Sequence, residues 1–153
     1  MTTLHASLDS PVGPLTVTEE DGALVSLEWR QQSNGTTSLL LDEARRQLDA
    51  YFVGTLTQFD LPVKPAGTDH QRKVWRAMQD IAFGDYQTYG ALSAAIGSSP
   101  RAVGTACGRN PIPIIIPCHR VLAAGGAIGG YSGSGGTETK RYLLSLEGVA
   151  LNE

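Results

Sequence analysis

The sequence predicts an α+β protein in two parts, a small antiparallel sheet with one helix and then a mostly helical region. Runs with strand-like composition fall before residue 63, whereas apolar residues at helical spacing dominate after residue 68. A stretch containing Pro and Gly, residues 64–68, separates the two parts like a linker. We therefore expect one domain over 1–63 and a second domain over 68–153.

The first part is predicted to form strands followed by a helix. Asp21-Gly22 stands between two strand-like runs, which is the composition of a tight hairpin turn. The period then changes to that of a helix, which Gly54 would end. Residues 57–63 are expected to add one further strand. The first three strands are expected in TLHASLDS, PLTVTEE and ALVSLEW, and the helix in SLLLDEARRQLDAYFVG.

Cap residues mark the helices of the second part. Thr68 with Gln71 three residues later is a capping-box pattern that opens one helix. Thr88 can cap the next, and Ser99 followed by Pro100 opens a third. Two short helices joined by a Gly-containing turn indicate either a helix-turn-helix or an ordinary helical hairpin. These helices are expected in DHQRKVWRAMQDIA, YGALSAAI and PRAVGTACGR, and a glycine-dense loop leads to a last one, ETKRYLLSLE.

Composition and charge limit the classes of function. The chain is 41% hydrophobic and 18% charged, as in a globular protein, and no apolar run reaches the ~18 residues of a membrane-spanning helix. The start lacks a signal-peptide pattern, and two cysteines indicate free thiols in a reducing, cytoplasmic setting. Residues 1–65 hold four basic and nine acidic residues, and residues 66–153 hold eight basic and six acidic ones. Contact with a polyanion should therefore involve the second part.

The hexapeptide IPCHRV at 116–121 has three interpretations. Cys118 could be a buried small hydrophobic residue, a metal ligand or a nucleophile. Zinc needs about four ordered ligands, and the sequence has no C-x-x-C or H-x-x-x-H pair, so no metal site is expected. Cys107, inside a helix of small residues, is expected to be structural. Cys118 lies beside His119 and Arg120, and such neighbours lower a thiol pKa, which favours a nucleophile.

The order of these residues constrains their geometry. Adjacent side chains in extended backbone point to opposite faces, so a direct contact between Cys118 and His119 would need a turn, or a bridging water in its place. A histidine base also needs an orienting carboxylate, and Glu147 at the end of the last helix is the candidate. A solvated Glu147 remains the alternative.

From Tyr89 to Val121 the sequence resembles the O6-alkylguanine-DNA alkyltransferases, also called methylated-DNA–protein-cysteine methyltransferases. The resemblance rests on RAVG, NP and IPCHRV in that order and returns at GYSG and KRYLLSLEG. It covers most of residues 68–153, and the first part matches mainly in pattern. It implies a ribonuclease-H-like N-terminal α/β domain with an antiparallel sheet, and a mostly helical C-terminal domain with a helix-turn-helix.

The resemblance also implies an activity. The protein would flip O6-alkylguanine out of double-stranded DNA and transfer the alkyl group irreversibly to its own cysteine, with O4-alkylthymine as a further substrate. The thioether product is not hydrolysed, so each molecule would act once. No cofactor is implied. DNA would be bound in the minor groove by a monomer, and cooperative binding along DNA is left open.

The catalytic roles follow by position from the resemblance. Cys118 resembles the alkyl acceptor, and His119 resembles the base that deprotonates it through a water. Glu147 resembles the carboxylate that orients the histidine. Asn110 matches the asparagine that ties the turn after the recognition helix to the cysteine loop. Tyr89 matches the tyrosine that crowds the adjacent phosphate and meets the flipped base.

The DNA-binding and pocket roles follow in the same way. Arg101 matches the arginine finger that enters the duplex and fills the space of the extruded nucleotide. Ala102 and Gly104 follow it, and small residues there would let the helix lie close to DNA. The residues expected to line or support the base pocket are Val121, Tyr131, Ser132, Gly133, Lys140 and Pro113.

Two other functions stay open on the residues alone. A Cys-His hydrolase would need an oxyanion hole and would turn over repeatedly. A non-catalytic DNA-binding protein could recognise lesions and recruit other proteins. The chain also departs from the family pattern. Its first part lacks the zinc-binding cysteines of some members, and its GYSGSGGTETK loop is two residues longer, which bears on the tolerance of large alkyl groups.

Overall fold

The structure, a computed structural model, describes residues 3–32 and 37–151. The chain divides into two compact units, Met1–Ala66 and Gly67–Glu153. Within the described residues, the first unit holds a three-stranded sheet and one helix, and the second holds four α-helices, two short 3₁₀ helices and a two-stranded sheet. The predicted α+β class is confirmed. No helix in the described ranges is long and apolar enough to cross a membrane.

The sheet of the first unit is antiparallel. Its order is β1 (Thr3–Leu8), β2 (Leu15–Glu20) and β3 (Ala23–Glu28). Asp21 and Gly22 join β2 to β3 with φ angles of 50° and 82°. A two-residue loop with two positive φ angles matches the twist of the strands it joins, and Asp-Gly adopts it readily. The predicted hairpin is therefore confirmed.

One helix covers this sheet. Helix α1 (Leu39–Phe52) begins after Ser38, whose hydroxyl accepts from the Leu41 amide at 3.0 Å. The apolar side of α1 packs on β1 and β2. Burial of apolar side chains at helical spacing holds the helix there. The buried apolar side chains of α1 are Leu41, Ala44, Leu48, Tyr51 and Phe52.

The predicted strand at 57–63 is wrong. The segment makes only an isolated parallel bridge, between Leu24 and Val63. Leu24 donates its amide to the Pro62 carbonyl and accepts from the Lys64 amide, both at 2.8 Å. Pro62 has no amide hydrogen, so it cannot extend a ladder.

The second unit is built from α2 (Asp69–Gln79), α3 (Tyr89–Ile96), α4 (Pro100–Gly108) and α5 (Thr137–Leu146). Its first three helices begin at the predicted caps, where a hydroxyl accepts an amide of the first turn. These contacts are Thr68 with Gln71 at 3.1 Å, Thr88 with Ala91 at 3.0 Å, and Ser99 with Ala102 at 3.2 Å. Gln71 also returns a bond to the Thr68 amide, which completes the capping box.

Helices α3 and α4 pack on each other and on α2 around a shared core. Gly97 separates α3 from α4 with a φ of 70°, a left-handed conformation that favours glycine. Trp75 of α2 is buried, and its indole donates to the Ala106 carbonyl of α4 at 2.9 Å. Strands β4 (Gln87–Thr88) and β5 (Val121–Leu122) pair in parallel and bring the start of α3 beside the segment after Cys118.

Candidate active site

Cys118 opens a 3₁₀ helix, Cys118–Arg120, and is 5% exposed. The backbone therefore turns between Cys118 and His119, as a contact between their side chains would require. Asn110 braces the approach to this turn. Its side-chain amide donates to the Ile116 carbonyl at 2.8 Å, and its oxygen accepts from the Ile112 amide at 2.9 Å. These bonds join the end of α4 to the residues just before Cys118.

The braced loop also contains a strained residue. Ile114 has a φ of 73°, which is unusual for a β-branched residue, and its side chain is fully buried. Such strain persists only where the surroundings determine the conformation. The cysteine loop is therefore held by side-chain burial and by the Asn110 bonds together.

Three buried side chains form a hydrogen-bonded cluster behind the cysteine. His119 Nε2 lies 2.7 Å from Glu147 Oε2. Arg120 donates from Nε to Glu147 Oε1 at 2.8 Å and from Nη2 to Oε2 at 3.1 Å. Glu147 is only 4% exposed, so it is not a solvated helix end. Charge-assisted bonds of this length orient both the carboxylate and the imidazole.

His119 is held as a neutral base. Burial lowers its pKa, while the Glu147 carboxylate acts in the opposite direction. Its Nδ1 is buried and has no hydrogen-bond partner among the described residues. With Nε2 directed to Glu147, Nδ1 is the atom that can accept a proton, directly or through a water.

The pKa of the Cys118 thiol departs from the sequence-based prediction. Burial raises it, and the Asn110 side chain and the Lys140 charge only partly oppose this. The predicted lowering of the Cys118 pKa by its neighbours is wrong, because the thiol is nearly excluded from water and Arg120 is turned to Glu147. A thiol with a raised pKa is neutral near pH 7, so a base must take its proton before it attacks.

A cavity of about 300 Å³ adjoins the thiol. Of the residues predicted for the site, the cavity brings together Tyr89, Gly104, Cys118, Tyr131 and Ser132. The predicted pocket residues that do not line it are Val121, Gly133, Lys140 and Pro113. An engineered cavity of about 150 Å³ holds one benzene ring, so this volume is of the order needed for a two-ring base.

Lys140 supports the cavity from behind. It is fully buried, and its ammonium donates to the Val121 carbonyl at 2.7 Å and to the Gly130 carbonyl at 3.0 Å. It also lies 5.8 Å from the centroid of the Tyr89 ring. Burial lowers the pKa of Lys140 to about 8. One side chain thus ties β5 to the glycine loop that closes the cavity.

Arg101 and Ala102 lie apart from the thiol, at the first turn of α4. Arg101 is exposed, and both residues line a second cavity of about 410 Å³. The same cavity reaches the first turn of α2 at His70 and Gln71. Arg101 is thus available to a partner outside the protein.

Sequence reasoning missed several residues of the site. Cys107, Gly108 and Gly130 line the thiol cavity. Cys107 was expected to be structural, and burial does raise its pKa to about 12. The sequence did carry a signal for Cys107, because it follows Gly104 by three residues on one helix and so lies on the same face. Arg120 was interpreted as a neighbour of Cys118, and nothing in the local sequence shows that it pairs with Glu147.

In the ranges 3–32 and 37–151, no three His, Cys, Asp or Glu side chains lie together in a way that could hold a metal ion. The two cysteines are free thiols. The arrangement can therefore take a proton from Cys118 and present the sulfur to a group held in the cavity.

A buried thiol with a histidine–carboxylate pair behind it defines a protein that uses cysteine as a nucleophile. Two family models specify which kind. Residues 69–149 match the 6-O-methylguanine DNA methyltransferase DNA-binding domain, and residues 3–65 match the ribonuclease-like domain of the same family. The chain belongs to the 6-O-methylguanine DNA methyltransferase family.

Individual relatives agree with this assignment. The methylated-DNA–protein-cysteine methyltransferase of Mycobacterium tuberculosis (strain ATCC 25618 / H37Rv) is 41% identical over 94% of this chain and 91% of its own. The constitutive enzyme of that name from Bacillus subtilis (strain 168) is 36% identical over 97% and 98%. The crystal structure of Mycobacterium tuberculosis OGT in complex with DNA superposes with a TM-score of 0.84 at 43% identity, over 94% of this chain and 91% of that one.

Proposed function

We propose that this protein repairs DNA by moving an alkyl group from O6 of guanine to its own Cys118. Membership of the methyltransferase family supports the reaction class. The observation that supports the acceptor is the place of Cys118, on the cavity and one residue from the base that Glu147 orients. The activity is a methylated-DNA–protein-cysteine S-methyltransferase activity, and it ends after one turnover.

The chemical step balances within the site. His119 Nδ1 takes the thiol proton through a water. The thiolate attacks the alkyl carbon, a C–S bond forms and the C–O6 bond breaks. The bonding electrons stay on the guanine oxygen, and the proton lost by the thiol balances that charge. The thioether has no leaving group that the site could expel, so Cys118 is not regenerated.

Reaching O6 requires the nucleotide to leave the base stack, which costs a few kcal/mol. Arg101, exposed at the start of α4, is suited to fill the vacated space and offset part of that cost. Ala102 and Gly104 leave little bulk on the same helix. We propose that α4 enters the minor groove and that Tyr89 and Tyr131 contact the flipped base, as cavity residues.

The supporting residues act through the loops. Lys140 positions the carbonyl groups of Val121 and Gly130. We propose that the backbone of Ser132 meets the base edge, that Gly133 supports the pocket beside it, and that Pro113 keeps the cysteine loop stiff. O4-alkylthymine fits the same chemistry. We further propose that the protein acts as a monomer inside the cytoplasm, where its DNA substrate lies.

Intact-protein mass spectrometry tests the proposal. The protein is incubated with a duplex containing O6-methylguanine, and its mass is measured intact. It is then digested, and peptide mapping locates the modified residue. We expect a gain of one methylene on Cys118 that saturates at one per molecule. Cys107→Ser is the matched control and should gain the same mass, whereas Cys118→Ser should gain none and still bind DNA.

Other outcomes identify the alternatives. Tight binding of the lesion duplex without a mass change would indicate a non-catalytic lesion-binding protein. If the protein neither binds the duplex nor gains mass, the Cys-His hydrolase again becomes the candidate function. A methyl group on Cys107 would overturn the assignment of the acceptor.

A further inference from the structure

Each of the three guanidinium nitrogens of Arg120 donates a hydrogen bond to an acceptor inside the protein. Nε and Nη2 donate to the two oxygens of Glu147, at 2.8 and 3.1 Å. Nη1 donates to the Ile81 carbonyl, just after α2, at 2.6 Å. The guanidinium carbon lies 5.9 Å from the centroid of the Phe83 ring. The residue is 6% exposed, so its side chain is not available to DNA or to the cavity.

The carboxylate that Arg120 contacts is buried, with Glu147 only 4% exposed. Burial favours the neutral form of a carboxyl group, and a paired guanidinium favours the charged form. Glu147 Oε2 accepts from Arg120 and also faces His119 Nε2 at 2.7 Å. If Glu147 took a proton, it could donate to Nε2 and force the imidazole hydrogen onto Nδ1. The histidine would then have no acceptor left for the thiol proton.

We propose that Arg120 is a positioning residue for the transfer: it keeps Glu147 ionised and oriented, so that His119 holds its hydrogen on Nε2 and leaves Nδ1 to accept the thiol proton. The anchor at Ile81 fixes the guanidinium relative to the end of α2. This inference rests on the proposed function only for its rate assay.

The other charged group near His119 is Lys140. Its ammonium acts on the pKa of His119 in the same direction as Arg120, but its bonds go to the carbonyls of Val121 and Gly130. Arg120 is therefore the cation that contacts the carboxylate directly. Because Arg120 pairs through a planar fork, lysine should replace it only in part.

The test measures the rate of Cys118 alkylation by free O6-benzylguanine against pH, which avoids any effect on DNA binding. In Arg120→Met, the buried Glu147–His119 pair should bind a proton up to a higher pH, whichever member holds it. We expect the acidic limb of the profile to move up by about one pH unit or more, with a loss at pH 7 of at most about 10-fold for each unit moved and recovery at alkaline pH. Arg120→Lys should fall between Arg120→Met and the wild type.

Glu147→Gln is the matched variant, because it removes the negative member of the pair and Arg120→Met removes the positive one. It removes the negative charge beside His119, so its acidic limb should move down in pH. The double variant Arg120→Met/Glu147→Gln should resemble Glu147→Gln, because Arg120 acts through that carboxylate. The double variant and Arg120→Lys also keep the test decisive if Arg120→Met fails to fold.

Nitrogen-15 NMR of the imidazole tests the same inference without any transfer. Wild-type His119 should carry its hydrogen on Nε2 at pH 7, and Arg120→Met should show either imidazolium or hydrogen on Nδ1. An unchanged tautomer and titration in folded Arg120→Met would overturn the inference, as would an equal loss of rate at every pH. Methyl transfer from the O6-methylguanine duplex decides the proposed function, and the NMR result decides the role of Arg120 even if that transfer fails.

Discussion

Single side chains hold the parts of this site in place, and Lys140 shows it most directly. A fully buried ammonium is costly unless its hydrogens are bonded, and Lys140 bonds the carbonyls of Val121 and Gly130. It thereby joins β5 to the loop that carries Tyr131 and Ser132. The same burial gives it a pKa of about 8, well below that of a solvated lysine.

We predict that Lys140→Met removes a pH-dependent component of stability. In the unfolded chain Lys140 keeps its proton to about pH 10.4, whereas in the folded chain it releases it near pH 8. Between these values the unfolded state binds more protons, so the free energy of unfolding of the wild type should rise with pH. Urea unfolding of both proteins at several pH values measures the difference.

The difference between the two proteins should widen as pH rises above 8, because other titrating groups are common to both. At pH 7 the variant should be less stable by about 2 kcal/mol, since the buried carbonyl of Val121 and the carbonyl of Gly130 lose a charged donor. Parallel curves across this pH range would contradict the lowered pKa of Lys140.

Residue identities in the site could be predicted from sequence where the family motif is contiguous. IPCHRV and GYSG indicated Cys118, His119, Tyr131 and Ser132. Arg120 was assigned to the wrong neighbour, because adjacency in sequence does not show that a 3₁₀ turn directs it to a helix 27 residues away. The positive φ of Ile114 has no sequence signal, because tertiary burial of the side chain imposes it.

At the scale of elements, local chemistry determined most of what could be predicted. The caps of α2 to α4 are contacts within three residues, so the sequence shows them directly. Residues 57–63 were predicted as a strand from composition, yet they pair only at Leu24, because strand formation depends on a distant partner. Helix α5 has a glycine at its N-cap and no side-chain hydrogen bond there, so its start lacks the local signal that marks the other helices of this part.

The cap of α4 gives a prediction for the helix that carries Arg101. Ser99→Ala removes the oxygen that accepts from the Ala102 amide and should lower the free energy of unfolding by about 1 kcal/mol. Fraying of this turn should also reduce alkyl transfer from duplex DNA more than transfer from free O6-benzylguanine. Denaturant unfolding and the two rate assays measure both effects.

Ser99→Asn is the matched variant, because asparagine caps helices about as well as serine. It should keep both stability and duplex activity near the wild type. If Ser99→Ala and Ser99→Asn behaved alike in the duplex assay, the cap would have no part in positioning Arg101.

At the scale of the whole molecule, the weak excess of positive charge lies in the part of the chain that matches the DNA-binding domain. Residues 66–153 hold eight basic residues, but Arg120 and Lys140 are buried in internal bonds. The other six are exposed: Arg72, Lys73, Arg76, Arg101, Arg109 and Arg141. With a net charge of −3 for the chain, we expect few phosphates to be neutralised, so in the proposed binding mode the fit of α4 and the flipped base should contribute much of the affinity.

A change at Arg101 can test the proposed contact with DNA separately from the chemical step, since Arg101 is exposed on α4 and does not line the thiol cavity. We predict that Arg101→Ala lowers the rate of methyl transfer from duplex DNA by about 10-fold or more, because the energy of extruding the base is no longer offset. Reaction with free O6-benzylguanine should stay close to the wild-type rate. Arg109→Ala, which removes an exposed charge just after the same helix, is the control for loss of charge alone and should weaken duplex binding without this selective effect. Equal losses on both substrates in Arg101→Ala would show that Arg101 supports the fold of the site and does not enter the duplex.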